Sequence, residues 1–259
     1  MNPDFRLERE MLPWIIRALP HMADEESAVA WTSEYATGYR QIDVLAAYMP
    51  TSEPTNTQFA QLASAVRRLT YVQLALLAET ALMKQVTAQS LAQRTWLPGQ
   101  DVRQHLDTFV GLGLVRKVTT RSYSLSEGMR STRICTVSIE AKLADWCGAL
   151  QQALYNKSSV DYSYVALPLW KFRERTAVLA EFQRCGIGLL GLSNCGTYEI
   201  LVRPKRRPVD CTAYMAMTIK IASEISSCER WSYLRKGGEG ERDPIDTRRS
   251  ECHHAGRAG

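Results

Sequence analysis

Apolar positions recur along this chain at two different periods, and the switches between them mark its elements. Leu7, Met11, Trp14, Ile15 and Ala18 fall on one helical stripe, predicting a first helix over 5–19 in which Pro13 either makes a kink or shifts the start. Residues 28–34 and 42–48 read as strands on either side of ATGYRQ, whose glycine suits a hairpin loop. MPTSEPTNT is polar and proline-rich and reads as the exit from that unit. From Phe59 the period turns helical, over 59–85 with a break near Thr70, then 87–94, then 100–112, where Gly111 and Gly113 stop it. LVRKVTTRSYSLS alternates as two short strands around a turn. Helices followed by a two-stranded wing describe a winged helix-turn-helix.

After Arg133 the strand period returns over 134–140, and again over 161–167, with a helix at 143–155 between. A helix over 173–184, strands in GIGLLGLS and YEILVRP, and a last helix over 212–227 follow. Strand, helix, strand, helix, strand is the pattern of a crossover-connected α/β sheet. The leading 50 residues are too few to bury a core alone. The expected organisation is therefore a discontinuous α/β domain, 1–55 with 134–234, interrupted by a winged-helix domain at 56–133. From Lys236 the chain has almost no apolar residues, so 235–259 is expected to be a disordered tail.

Composition narrows the function classes. With 259 residues, 45% of them hydrophobic, the chain can bury a sizeable core. Its seven cysteines are an odd number without a C-x-x-C pair, and its four histidines are scattered apart from His253–His254. Disulfide scaffolds and zinc sites are poorly supported, and most cysteines read as reduced core residues. No run approaches the length of a membrane span, and MNPDFRLERE lacks the apolar core of a signal peptide, so a cytoplasmic protein is expected. The net charge of +5 is concentrated: between Arg67 and Arg133 ten Lys/Arg stand against four Asp/Glu.

Candidate chemistry begins with carboxylates on apolar strands. Asp43 interrupts Ile42, Val44 and Leu45, and Glu140 ends the strand Val137–Ile139. An ionised carboxylate in such a place needs a cation, a metal or an exposed edge. If the two strands are neighbours, their oxygens converge into a hard-ligand site suited to Mg²⁺, with Mn²⁺ as a substitute. Lys142, two residues after Glu140 and on the same face, would orient or deprotonate a metal-bound water, or stabilise negative charge at phosphorus. E-x-K alone is a common tripeptide, equally consistent with an exposed salt-bridged strand.

IEAKLADWCGALQQALYNKSSVDYSYVALP resembles the core of the PD-(D/E)xK superfamily, the restriction-endonuclease-like nucleases. CGIGLLGLS is similar to the strand that follows in that family, and TSEYATGYRQIDVLAAY to its hairpin; the resemblance covers roughly 1–50 and 134–204. It implies a mixed sheet flanked by helices and a divalent ion held by Asp43 and Glu140. Lys142 would stand beside the attacking water, and Gln152 would reach toward the site to bind a water or a phosphate. It also implies a glutamate on the first helix, for which Glu10 is the first candidate and Glu8 the second. Ile42 stands where the family's eponymous proline would be.

Within the winged-helix segment, Val102, Leu106, Phe109 and Val110 form the buried stripe of one helix, leaving Gln100, Arg103, Gln104, His105 and Thr108 to face a major groove. Arg116, Lys117, Arg121, Arg130 and Arg133 would add phosphate contacts. Three readings follow. The first is a Mg²⁺-dependent DNA endonuclease, in which one site per chain calls for a homodimer or two visits to cut both strands. The second is a catalytically inactive DNA-binding regulator of the same architecture. The third is a protein-interaction module that docks through its winged helix.

Overall fold

The computed structural model describes residues 5–22, 27–37, 40–50, 61–62, 64–66, 68–131, 134–172, 175–206, 214, 217–218, 220–221, 224–225 and 231–234. Arg133 and the segment from 235 onward lie outside them, as does the glycine of the expected hairpin loop.

Strands β1 (Ser27–Ala36), β2 (Gln41–Pro50) and β6 (Cys135–Ala141) form an antiparallel meander. β7 (Tyr162–Pro168) and β8 (Gly188–Leu192) add in parallel, and β9 (Tyr198–Val202) closes that end antiparallel to β8. β10 (Ser232–Leu234) pairs with β1 at the opposite edge, giving a mixed sheet of seven strands among the described residues. This edge strand was not expected from the sequence, because three residues carry no readable alternation.

Alternation along the strands divides the side chains between two faces. Val44, Ala46 and Tyr48 of β2, with Val137 and Ile139 of β6, pack against α1 (Leu12–Ala18) through Met11, Ile15 and Leu19. Pro13 sits in the first turn of α1, where its missing N–H is harmless; it sets the start of that helix and leaves Glu8–Met11 as a 3-10 turn. Tyr48 OH donates to Leu19 O at 2.6 Å and Tyr164 OH to Met22 O at 3.1 Å, fixing the end of this segment to the sheet.

The other face carries α6 (Trp146–Asn156), the short α7 (Leu169–Phe172) and α8 (Thr176–Cys185) over Val165, Leu167 and Leu189. Met217, Ile221 and Ile225 lie over Leu45 and Ala47 on the same side. The even positions of β6 that face α6 are polar and buried, and each has a partner. Thr136 N and Oγ1 donate to Asp161 Oδ2, and Ser138 Oγ bonds Ser163 Oγ, which donates to Ala153 O. Glu140 is the third of these positions, and its partner is Asn156.

Residues between β2 and β6 build a second sheet with a separate core. α2 (Tyr71–Leu82) starts at Thr70, whose side chain accepts from Gln73 N, which accounts for the expected break there. β3 (Val86–Thr87), α3 (Ala88–Thr95), α4 (Gly99–Gly111), β4 (Val115–Lys117), β5 (Ser122–Leu125) and the short α5 (Glu127–Ser131) follow, with strand order β3-β5-β4. Leu76, Leu77, Leu91, Val102, Leu106, Phe109 and Tyr123 fill this core, and none of them belongs to the clusters around the larger sheet. Helix, short strand, two helices and a two-stranded hairpin is the winged-helix order of elements.

Several expectations are corrected by the packing. Leu154, though apolar and within the expected helix 143–155, is 40% exposed, because Leu150, Ala153 and Asn156 take the buried side of α6. Cys147 and Cys195 are exposed, Cys185 is half-buried and Cys135 is buried, so among the described cysteines only one is a core residue.

Candidate active site

The strands bearing Asp43 and Glu140 are neighbours. Val44 is opposite Ile139 in the antiparallel β2–β6 ladder, so the next step brings Asp43 to Glu140. Asp43 Oδ2 accepts a 2.8 Å hydrogen bond from Ala141 N, the residue between Glu140 and Lys142 and 98 positions away in sequence. That bond fixes the aspartate where β2 and β6 part. On its other side the β1–β2 ladder is interrupted: Ser33 pairs with Val44 and Tyr35 with Ile42, while Glu34, which falls opposite Asp43, takes φ 52. A left-handed conformation at a non-glycine residue is sterically unfavourable, so backbone strain stands beside the aspartate.

Glu140 is only 3% exposed. Asn156 Nδ2 donates to its Oε1 at 2.6 Å, so one oxygen is tied to the end of α6. Burial, then the charge of Asp43, pushes the Glu140 carboxyl up to about 7; the Asn156 hydrogen bond and the charges of Lys142 and Arg40 oppose this without cancelling it.

Lys142 Nζ donates to Glu8 Oε2 at 3.1 Å and lies 4.0 Å from Asp43 Oδ2. Burial alone would lower its affinity for a proton; the Glu8 hydrogen bond and the charges of Asp43, Glu8 and Glu140 outweigh burial and leave the ammonium favoured. Glu8, the second candidate on the first helix, is thus the one that reaches the site. Glu10, the first candidate, is turned to its own backbone, where Oε2 accepts from Arg6 N at 2.7 Å and from Leu7 N at 3.4 Å. The reason is position: Glu10 is the third residue of the 3-10 turn, where a carboxylate caps free N–H groups.

Gln152 lies one helical turn before Asn156, on the same side of α6. Its Oε1 is buried and without a hydrogen-bond donor. Asn156 was missed by sequence reasoning, although a signal exists. The buried series Ala149, Leu150, Ala153 runs on to Asn156, and a polar residue in a core position requires a partner.

The carboxylates of Asp43 and Glu140, each with one oxygen in a hydrogen bond, are of the kind that suits a hard divalent ion, and the amide oxygen of Gln152, on the same helix as Asn156, has no donor among the described residues. No cluster of three or more His, Cys, Asp or Glu side chains that could hold a metal is found among the described residues.

In the winged-helix unit, Arg103 and Gln104 are exposed on α4, and Arg116 and Arg121 are exposed on the wing; none of these three arginines has an ion-pair partner among the described residues. Lys117 is exposed and paired with Asp107 at 3.0 Å. Arg130 is exposed, and its guanidinium donates to Lys84 O at 3.2 Å and to Ser124 Oγ. His105 is half-buried against Gln73, with Nδ1 3.4 Å from Nε2. A further exposed group escaped sequence reasoning: Trp96, between α3 and α4, is 93% exposed and takes φ 57.

No family model matches the chain, and no curated protein shows a significant match. A solved structure similar over part of it is the multiple antibiotic-resistance repressor (MarR) from Listeria monocytogenes 4b F2365. It is 24% identical, with 28% of this chain and 52% of that chain covered and a TM-score of 0.24. This chain thus spans about half the length of that repressor, and at such a TM-score the likeness carries no argument about function. No helix among the described residues is long and apolar enough to cross a membrane.

Proposed function

We propose that this chain is a divalent-metal-dependent DNA endonuclease of the restriction-endonuclease-like kind, with the winged-helix unit presenting duplex DNA to the site. The observation that carries this reading is the hydrogen bond from Ala141 N to Asp43, which joins an aspartate on β2 to the E-A-K segment of β6. Asp43 and Glu140 would hold the ion, Mg²⁺ with Mn²⁺ as substitute. When bound, such an ion supplies Lewis-acid activation of the phosphodiester and of a water. The raised Glu140 carboxyl is in line with this fit, since a divalent ion bound there would offset the burial and the Asp43 charge that raise it.

Lys142 has a narrower role than its position alone allows. Its ammonium is favoured, so it acts as a fixed positive charge that orients water and stabilises charge developing at phosphorus, not as a general base. Glu8 holds that ammonium in place. Arg103, Arg116 and Arg121 would meet phosphates, and Gln104 a base edge.

Two observations favour a second reading, a DNA-binding protein with a silent site: Glu140 is almost wholly buried and Lys142 is already engaged by Glu8. Incubation of supercoiled, linear and branched DNA with Mg²⁺, Mn²⁺ or chelator separates the two. The endonuclease reading expects cleavage that requires the ion and falls by orders of magnitude in Asp43→Asn and Lys142→Ala, with DNA binding retained. Tight binding without cleavage of any substrate supports the silent site.

A further inference from the structure

Arg40 lies just before β2, three residues ahead of Asp43, and its backbone is pinned: Arg40 O accepts from Thr37 N at 2.8 Å and from Thr37 Oγ1 at 3.1 Å. Its guanidinium carbon stands 4.3 Å from the centroid of the Tyr155 ring. Tyr155 is 49% exposed and adjoins Asn156, the residue that holds Glu140. Arg40 therefore sits on the rim of the site, and its charge reaches the Glu140 carboxyl, whose proton affinity it lowers.

The two cations of this region differ in what they leave available. Lys142 is engaged by Glu8 and Asp43. Arg40 is exposed and has no ion-pair partner among the described residues. Stacking on an aromatic face restricts a guanidinium in two dimensions and keeps its N–H edge free, and that planar fork matches two phosphate oxygens. A side chain anchored at backbone and at ring, yet unpaired at its donor edge, is preorganised for an anion that the protein does not supply.

We propose that Arg40, held in place by the ring of Tyr155, grips a backbone phosphate of the DNA strand lying across Asp43, Glu140 and Lys142. The proposal rests on the endonuclease reading for the identity of the anion. Arg40 is the contact residue and Tyr155 a positioning residue.

The test is the affinity of the full chain for a labelled duplex as a function of salt, in chelator so that no strand is cut. Loss of one phosphate contact lowers the slope of log affinity against log salt by about 0.9. Arg40→Ala is expected to lower the slope by that amount and to weaken binding several-fold. Tyr155→Ala is expected to lose part of the affinity, and Tyr155→Phe to recover it, because the ring and not the hydroxyl carries the stack. An Arg40→Ala slope equal to that of wild type overturns the proposal, as does a Tyr155→Phe variant that recovers nothing. Cleavage measured in parallel keeps the two readings apart. An Arg40-dependent slope in a chain that cuts no DNA sinks the endonuclease reading and leaves the Arg40 contact standing. Metal-dependent cleavage with an Arg40-independent slope does the reverse.

Discussion

Removing the charge of Glu140 should stabilise the metal-free fold, and only above a defined pH. The carboxyl has an ordinary value of 4.5 and stands at about 7 in the folded chain, through burial first and then Asp43. Below about 4.5 both folded and unfolded chains carry the proton, so Glu140 contributes no pH-dependent cost. Between 4.5 and about 7 the folded chain keeps a proton that the unfolded chain has released, so stability falls as pH rises. Above about 7 both have released it and the full cost remains. At about 1.4 kcal/mol per pH unit between the two values, that cost is about 3 kcal/mol. Glu140→Gln keeps an oxygen to accept from Asn156 but cannot ionise. Thermal unfolding in chelator should give matching curves for the two proteins near pH 4. Near pH 8 the variant should melt about 6–12 °C higher. A shift of the same size at both pH values would refute the reasoning, because the effect would then come from packing. Divalent ion added at pH 8 should raise the melting temperature of wild type and leave the variant unchanged.

Asn156→Ala leaves buried Glu140 without its donor, so the folded chain should lose about 1–3 kcal/mol in denaturant titration. Asp161→Ala removes the acceptor shared by Thr136, Arg206 and Tyr214, and a loss of about 3 kcal/mol is expected. Gly188→Ala drives a methyl into the Tyr164 ring, and overpacking of about 1–3 kcal/mol should appear as a lowered melting temperature. Arg103→Ala combined with Arg121→Ala should lower the salt slope of duplex binding by about 1.8, two phosphate contacts' worth, while circular dichroism stays unchanged.

The candidate site was legible in the sequence where polarity contradicted burial. Asp43 and Glu140 stood out as carboxylates on apolar strands, and both lie on neighbouring strands at one place. The choice between Glu8 and Glu10 was not legible, because it turns on where Pro13 starts α1 and which carboxylate is left to cap the preceding turn. The anchoring of exposed Arg130 was not legible either, because its bonds to Lys84 O and Ser124 depend on how separate parts of the winged-helix unit meet, which no local pattern encodes. Arg40 was passed over because its value lies in Tyr155, more than a hundred residues on. Short edges such as β3 and β10 escaped notice, since pairing with β5 and β1 and not periodicity defines them.

The central claim is that Asp43 and Glu140, from opposite sides of the winged-helix insertion, form one divalent-ion site. Calorimetric titration of the full chain with Mn²⁺ at pH 8 measures it most directly. The account predicts one site per chain, abolished by Asp43→Asn and by Glu140→Gln alike, and retained in Lys142→Ala because an ammonium is not a ligand. Mn²⁺ binding that survives both carboxylate substitutions, or its absence in wild type, would contradict it.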